Sequence, residues 1–88
     1  MKRKQQELIL PNYPIRQGDR GLDVARLQAI LDVIYKRKGK KKLQSLEPSY
    51  FGYETRDLIL HFQAEHEIKL TGTYDHLTRQ KIRETISR

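Results

Sequence analysis

The stretch that most constrains the fold is residues 51–63, which read Phe-Gly-Tyr-Glu-Thr-Arg-Asp-Leu-Ile-Leu-His-Phe-Gln. Four of its side chains recur at spacings of three and four residues, which places them on one face of an α-helix: Thr55, Leu58, Ile59 and Phe62. Gly52 is an acceptable N-cap, and the charge of Glu54 in the first turn opposes the positive end of the helix dipole. The stretch therefore predicts a central helix over about 53–67.

Two further amphipathic stretches flank the central one. The first follows a glycine-containing turn at residues 16–21 and predicts a helix over about 22–38, with Gly39 as its C-cap. Its apolar stripe is Val24, Leu27, Ile30, Leu31 and Ile34. The second follows Asp75, a good N-cap, and predicts a helix over about 76–86. Its side chains expected to face the core are Leu77, Ile82 and Ile86.

The 88 residues form one small domain without cysteine, so no disulfide or thiolate metal site can stabilise it. Residues 1–14 are expected to be a basic flexible arm that leads into an extended strap, because prolines 11 and 14 disfavour helical geometry in the residues before them. Leu8, Leu10 and Ile15 would lie along residues 15–88, the three-helix domain. We expect this all-α domain to be a monomer.

The chain carries 18 basic and 11 acidic residues, a formal charge of +7, which favours anionic partners. Much of the excess lies in a basic loop at residues 36–47, which contains Lys36, Arg37, Lys38, Lys40, Lys41 and Lys42. Such a run is most often a solvated loop, with Leu43 and Leu46 here able to dip back onto the core. The alternative is an anion-binding segment for nucleic acid or an acidic protein, although no recognition-helix pattern accompanies it.

No arrangement of residues typical of an enzyme is present. His61 and His66 are five residues apart, which turns them to different faces of a helix, and no HExxH zinc motif occurs. The serines lie in no nucleophile elbow, and there is no glycine-rich phosphate loop. We therefore expect no catalytic residues, no metal and no cofactor.

The N-terminus begins as a secretory signal might, but only Leu8-Ile9-Leu10 follows the basic residues before Pro11. A signal peptide needs about 7 to 15 apolar residues, and a membrane span needs about 20. We expect neither in this chain. As written it would be cytoplasmic, unless it is a fragment of an exported protein or is released by lysis.

A weak internal repeat links the three helices. Each helix start pairs a capping residue with a β-branched residue three positions later: Gly21 with Val24, Gly52 with Thr55, and Asp75 with Thr78. The first two helices also carry an apolar residue followed by glutamine, Leu27-Gln28 and Phe62-Gln63. We expect the apolar member to pack in the core while the glutamine amide hydrogen-bonds nearby loop backbone.

These residues resemble the peptidoglycan-binding-like domain family, whose first block is G-x-x-G-x-x-V-x-x-L-Q-x-x-L, as in residues 18–31. The second block, F-G-x-x-T followed by F-Q, is matched within residues 51–63. The third is matched in outline over residues 68–82, through Gly72, Thr78 and Ile82. The resemblance covers about residues 15–86 in three ordered blocks and implies a three-helix peptidoglycan-binding-domain-like fold.

The sequence departs from the family pattern at the turns before the second and third helices. Pro48-Ser49 stands at the first Asp-Gly turn, Thr71 replaces the aspartate of the second, and Asp75 replaces the glycine that starts the third helix. Glu67 stands where a helix-ending glycine is usual. These turns border the groove that the family is thought to use for its ligand.

The resemblance implies a non-catalytic module that binds peptidoglycan or an associated anionic wall polymer, and that targets or anchors a hydrolase or other partner there. Candidate ligand-binding residues are aromatic faces for sugar rings and guanidinium groups for carboxylates. They are Arg20, Tyr50, Tyr53, Arg56 and Tyr74. The tyrosines could instead close the core with their hydroxyls in water. The alternative function is an intracellular, phage or spore adaptor that reuses the fold to dock a protein or to bind nucleic acid.

Overall fold

The computed structural model describes residues 9–37 and 46–87. These residues form three helices, α1 (Leu22–Arg37), α2 (Tyr53–Glu65) and α3 (His76–Ile86), and contain no β-strand beyond two isolated bridges. The predicted all-α, three-helix fold is confirmed. The predicted bounds of α3 are also confirmed, whereas Lys38 and the expected C-cap Gly39 lie outside the described residues.

Helix α2 ends two residues before the predicted position, at Glu65. Glu67 adopts a left-handed conformation with φ of 56°. The amide of Glu67 donates to the carbonyl of Ala64, and the amide of Ile68 donates to that of Gln63. This is the hydrogen-bond pattern of a Schellman motif, which closes a helix and is most often built on glycine. The prediction that the helix runs to residue 67 is wrong, because Glu67 adopts the left-handed conformation that glycine usually supplies at the end of a helix.

The core is formed by one stripe from each helix together with residues from the segments that precede the helices. Its buried members are Ile15, Val24, Leu27, Ile30, Leu31, Ile34, Tyr35, Phe51, Ile59, Phe62, Tyr74 and Ile82. Leu10, Leu58 and Ile86 pack against this core. The predicted inward position of Leu77 is wrong, since its side chain is 49% exposed. Thr78 and Ile82, four residues apart, define the inward face of α3, and Leu77 lies about 100° away from Thr78 around the helix axis.

The segment before α1 pairs with the turns before the other two helices. Ile15 and Tyr74 exchange both backbone hydrogen bonds, at 3.1 and 2.9 Å. Farther along, the amide of Phe51 donates to the carbonyl of Asp19, and the amide of Gly21 donates to that of Ser49. The starts of all three helices therefore lie side by side.

The two glutamines predicted to bind loop backbone do so. The Nε2 of Gln28 donates to the carbonyls of Glu47 and Tyr50 and to the hydroxyl of Thr55, while its Oε1 accepts from the amide of Ser49. We call this group the Gln28 cluster. It joins the middle of α1 to the turn before α2 and to the first turn of α2, so it fixes where α2 begins.

The Gln63 cluster repeats the arrangement one helix later. The Nε2 of Gln63 donates to the hydroxyls of Thr71 and Thr78 and to the carbonyl of Thr73, and its Oε1 accepts from the amides of Thr71 and Gly72. Both glutamines are buried. In each cluster the glutamine pairs with backbone groups of a tight turn. Without it those groups would be buried and unpaired, which would destabilise the fold.

Candidate functional site

Arg20 and Tyr50 form a stacked pair beside the start of α2. The guanidinium carbon of Arg20 lies 4.4 Å from the centroid of the Tyr50 ring, within the range of a cation–π interaction. An isolated antiparallel bridge joins the backbones of the same two residues. The ring also lies against Gly52, where an added Cβ would come within 3.2 Å of the ring atom Cε2. A glycine at this position therefore allows the close approach of Tyr50.

Tyr53 and Arg56 continue this surface along α2. Tyr53 is the first residue of the helix and is 63% exposed, and Arg56 follows one turn later, where side chains three residues apart are neighbours. The Arg56 side chain lies over Gly72, whose ideal Cβ position is 3.1 Å from the Nε atom. We call the surface formed by Arg20, Tyr50, Gly52, Tyr53 and Arg56 the α2 N-terminal surface.

The electrostatics of the α2 N-terminal surface favour groups that accept hydrogen bonds. Gly52 has no side chain with which to cap the helix, so the positive end of α2 carries no capping side chain of its own. The guanidinium of Arg20 stacks on the neighbouring Tyr50 ring and that of Arg56 lies over Gly72, while the Glu54 carboxylate lies against Gly52, 3.3 Å from its ideal Cβ position. The Tyr50 ring next to Arg20, with the exposed Tyr53 ring three residues on, suits a ligand with apolar C–H faces and carbonyl or carboxylate groups.

Tyr74, the fifth predicted ligand-binding residue, lies apart from this surface. Its side chain is 1% exposed, and its hydroxyl donates to the carbonyl of Pro11 at 2.6 Å. Burial raises the pKa of Tyr74 to about 12. Its ring belongs to the core, and its hydroxyl fastens the N-terminal strap rather than facing water.

Little of the predicted basic loop falls within the described residues. Lys36 lies on α1, where its ammonium group pairs with Asp32 at 3.2 Å, and Arg37 ends the helix. The remaining lysines of the run, 38 and 40–42, lie outside the described residues. Of the residues in the alternative anion-binding segment, only Lys36 and Arg37 therefore lie within the described part of the chain.

One exposed aromatic residue was missed by the sequence reasoning. Tyr13 lies in the strap between two prolines and is 52% exposed, and its hydroxyl donates to Asp23. That hydrogen bond is the main reason that the pKa of Tyr13 is raised. Its position next to Pro14 could have marked it, because proline holds the preceding residue extended and so limits where its ring can go.

Tyr13 separates two surface cavities. The strap cleft, of about 80 Å³, lies between the strap and the start of α3 and is lined by Asn12, Tyr13, Pro14, Tyr74, Asp75, His76 and Arg79. The second, of about 220 Å³, lies toward α1 and is lined by Tyr13, Ile15, Asp19, Arg20, Asp23 and Val24. Because Arg20 lines the second cavity, the α2 N-terminal surface continues into it.

The histidines are spread over the molecule rather than gathered. His61 and His76 are exposed, and the His66 ring lies 4.2 Å from that of Phe62. Within residues 9–37 and 46–87 there is no group of three or more histidine, cysteine or acidic side chains that could hold a metal ion. None of the helices in these ranges is long and apolar enough to cross a membrane.

No protein-family model matches the sequence, and the search of curated proteins finds no match. Solved structures do match. The SleB N-terminal domain superposes with a TM-score of 0.67 at 25% identity, over 86% of this chain and 96% of that one. A Burkholderia AP3 phage endolysin superposes with a TM-score of 0.64 at 30% identity, over 81% of this chain and 25% of that one. This chain has the three-helix fold of the peptidoglycan-binding-like domains.

The same fold occurs in a periplasmic domain of the EpsAB fusion protein from the Vibrio vulnificus type II secretion system. That superposition has a TM-score of 0.63 at 18% identity and covers 82% of this chain but 30% of that one. The chain therefore spans less than a third of two of these structures and nearly all of the SleB domain. The likenesses support the resemblance that the three sequence blocks carry.

Proposed function

We propose that this chain is a non-catalytic module that binds peptidoglycan and holds a hydrolase or another partner at the cell wall. Three observations support the proposal. The sequence blocks resemble the peptidoglycan-binding-like family, the fold is the same, and one of the similar structures is a phage endolysin. The observation that carries the proposal is the α2 N-terminal surface, where Arg20 stacks on Tyr50 beside a helix start without a side-chain cap and the exposed Tyr53 and Arg56 follow along α2.

Each component of this surface has a matching group on a glycan–peptide polymer. The exposed ring of Tyr53 offers an apolar face to the C–H groups of a sugar. The guanidinium groups of Arg20 and Arg56 can pair with the carboxylates of the peptide in a bidentate geometry. Tyr50, held between Arg20 and Gly52, places an aromatic face for a sugar directly beside a guanidinium group for a carboxylate.

The surface is held in place before any ligand arrives. The carbonyl of Tyr50 accepts from Gln28, and the Arg20–Tyr50 bridge fixes the backbone on the other side. Arg56 rests on the turn at Gly72, which the Gln63 cluster holds. A preorganised surface loses little conformational entropy on binding, so more of the contact energy appears as affinity.

The test is retention of the purified chain on insoluble peptidoglycan stripped of teichoic acids, at about 50 and about 500 mM salt, because screening at the higher concentration removes long-range attraction between exposed charges. We expect retention at both concentrations, with no release of soluble wall fragments. Tyr53→Ala should weaken retention about tenfold or more, as expected for loss of an aromatic anchor. Leu22→Ala is the matched control, since Leu22 is also the first residue of its helix and is 65% exposed.

Duplex DNA serves as the parallel ligand. If wall retention disappears at high salt and DNA binding falls in the same way, the +7 charge alone is responsible and the proposal is wrong. Equal losses of wall retention with Tyr53→Ala and Leu22→Ala would also contradict the proposal, because the Tyr53 ring would then contribute no more to binding than an exposed residue elsewhere. Release of soluble fragments by the purified chain would overturn the non-catalytic assignment.

A further inference from the structure

Arg79 and Arg83 are two basic residues of α3 that form no ion pair with a carboxylate of the described residues. Three other basic side chains on the helices each pair with a carboxylate three or four residues away, at 3.2 to 3.5 Å: Arg26, Lys36 and Lys81. Arg79 instead donates from Nε to the carbonyl of Pro11 at 3.1 Å. The positive charges of Arg79 and Arg83 are therefore not neutralised by a carboxylate within residues 9–37 and 46–87.

The sequence of α3 explains why these charges stay unpaired. No acidic residue lies three or four positions from Arg83 on the helix. Asp75 lies four positions before Arg79. Its carboxylate, however, accepts hydrogen bonds from Thr71 and Thr78 at the start of the helix. Two like charges four residues apart slightly destabilise a helix, so the stability of α3 does not account for the pair.

The two guanidinium groups also act on the same point of the fold. Burial raises the pKa of Tyr74 to about 12, and the positive charges of Arg79 and Arg83 act against that rise. Charges shift a pKa in this way at short range. Both groups therefore lie near the Tyr74 hydroxyl, beside the strap, and together make one positive region.

The outward face of α3 extends this positive region. His76, Gln80 and Arg83 are exposed and recur at spacings of four and three residues, away from the buried Thr78 and Ile82. An apolar side chain that is 49% exposed, Leu77, lies at the margin of the face away from the strap. We call the surface formed by His76, Leu77, Arg79, Gln80 and Arg83 the α3 outer surface.

The spacing of the charges matches an acidic helix. Carboxylates four residues apart on a partner helix would be about 5–6 Å apart between Cβ atoms, as Arg79 and Arg83 are on α3. Guanidinium groups bind carboxylates in a bidentate geometry. Nucleic acid fits less well, because duplex-binding proteins neutralise several phosphates, whereas the Glu84 carboxylate lies on the same helix as the two arginines. An exposed Leu77 also favours a partner with apolar side chains.

We propose that the α3 outer surface docks an acidic amphipathic helix of a partner protein, with two carboxylates four residues apart bound to Arg79 and Arg83 and an apolar residue against Leu77. The inference rests on the proposed function in one respect, because this helix would belong to the partner that the module holds at the wall. The α3 outer surface shares no residue with the α2 N-terminal surface, so the wall and the partner would not compete for the same side chains.

The experiment is a titration of the isotope-labelled full chain with a synthetic alanine-based helical peptide, followed through backbone amide NMR signals. The peptide carries two glutamates four residues apart, a leucine on the adjoining side and two lysines on the opposite face. Its net charge is zero, so the +7 charge of the chain attracts it little. We expect saturable shifts centred on residues 76–84. An isomer with the glutamates five residues apart, and thus on different faces, should bind about fivefold more weakly or worse.

Arg83→Glu should weaken the affinity for the peptide about tenfold, because repulsion replaces an ion pair. Peptides in which lysine replaces one glutamate or the other test the contact directly, and one of them should recover about fivefold in affinity for this variant. Lys36→Glu makes the same change of net charge at an exposed position on α1 and should stay within about twofold of the natural chain. Arg79 is left unchanged because it also holds Pro11.

The amide spectrum also reports whether each variant is folded. Equal losses with Arg83→Glu and Lys36→Glu, equal affinity for the two glutamate isomers, or no recovery with either exchanged peptide would overturn this inference. Shifts of the α3 amides with a DNA duplex but not with the peptide would overturn it as well, since the surface would then bind phosphates.

Wall retention separates this inference from the proposed function. Arg83→Glu should leave retention on insoluble peptidoglycan unchanged, because Arg83 lies outside the α2 N-terminal surface. Retention of the natural chain without peptide binding would overturn the docking surface while the proposed function stands. Peptide binding without retention would leave the docking surface in place and overturn the proposed function.

Discussion

The Gln28 and Gln63 clusters both supply hydrogen-bond partners to the backbone of the turn before a helix, but the two helices begin differently. In each, a glutamine from one helix binds the turn before the next helix and the threonine in its third position, Thr55 or Thr78. The carbonyls of Tyr50 and Thr73 are equivalent acceptors. Ser49 and Gly72 are equivalent too, with left-handed φ angles of 64° and 72°.

The clusters differ at the N-cap. Asp75 caps α3 by accepting from the amide and hydroxyl of Thr78 and from the hydroxyl of Thr71, whereas Gly52 leaves the start of α2 without a capping side chain. Gln63 is fully buried and Gln28 is 8% exposed. The start of α3 is thus closed by a capping side chain, whereas the buried Gly52 at the start of α2 is covered by the Tyr50 ring, next to the residues proposed to bind the wall.

The largest loss in the free energy of unfolding should come from Gln63→Ala. It would leave the amides of Thr71 and Gly72 and the carbonyl of Thr73 without their buried partner, at about 1–3 kcal/mol for each group that water cannot reach. We expect a loss of about 3 kcal/mol or more, measured by urea unfolding, and a smaller loss of about 2 kcal/mol for Gln28→Ala, where water can enter.

Gln63→Glu tests the hydrogen bonds that Gln63 donates separately from those that it accepts. Gln63→Glu keeps an oxygen for the Thr71 and Gly72 amides but removes the three Nε2 donor bonds, so its loss should be comparable to that of Gln63→Ala. Equal losses for Gln28→Ala and Gln63→Ala would contradict the difference between the clusters.

The next effect concerns the two left-handed turn residues. Gly72→Ser should cost about 1–2 kcal/mol, because a side chain there is strained and its Cβ would meet Arg56 Nε at 3.1 Å. The reciprocal Ser49→Gly relieves strain but frees the unfolded chain, so its net change should stay within about 0.5 kcal/mol. Urea unfolding measures the stability of both variants. If Gly72→Ser left the free energy of unfolding unchanged, the two turns would be interchangeable.

Removing the cap of α3 should have a smaller effect. Asp75→Ala should cost about 1 kcal/mol at neutral pH, the usual value of an N-cap, and Asp75→Asn should keep most of it because asparagine caps as well as aspartate. Unfolding in urea at pH 7 measures both. An equal loss for the two variants would mean that the charge, rather than the cap geometry, matters.

The same residue gives a pH dependence of known sign. Burial raises the pKa of Asp75, but hydrogen bonds from the Thr78 hydroxyl and amide and from the Thr71 hydroxyl outweigh it, so the pKa lies below its ordinary value of 3.8. The stabilisation is therefore present above the unfolded pKa and is lost as the pH falls through the folded one. Asp75→Asn should flatten the acid end of the stability profile, whereas Asp57→Asn, at an exposed position, should not.

The features that followed from the sequence are those that repeat along it. The spacing of apolar residues gave three helices, Asp75 was predicted as a cap from its residue type, and the Leu27-Gln28 and Phe62-Gln63 pairs gave the two glutamine clusters. Each of these depends on short-range geometry, which a sequence encodes directly.

The features that did not follow depend on contacts between distant residues. Tyr74 was proposed as a ligand-binding residue because it lies next to a helix start, but its ring belongs to the core and its hydroxyl donates to Pro11, which is far away in sequence. Tyr13 acquires its position through Asp23 and the strap for the same reason. Glu67 ends α2 although its residue type favours a continuing helix. Local patterns do not reveal which chain segment will cover which side chain.

The smallest effect on stability should come from giving α2 the cap that it lacks. Gly52→Ser supplies a capping hydroxyl, but glycine is already within a few tenths of a kcal/mol of serine at an N-cap, and the new Cβ would press on Tyr50 at 3.2 Å. We expect the free energy of unfolding to change by less than about 0.5 kcal/mol, while wall retention falls because the Tyr50 ring is displaced from Arg20. In a Tyr50→Ala background the same substitution should stabilise the chain slightly and leave retention unchanged. If Gly52→Ser alone left retention intact, Tyr50 would have no role in binding, and the missing side-chain cap of α2 would need a structural reason instead.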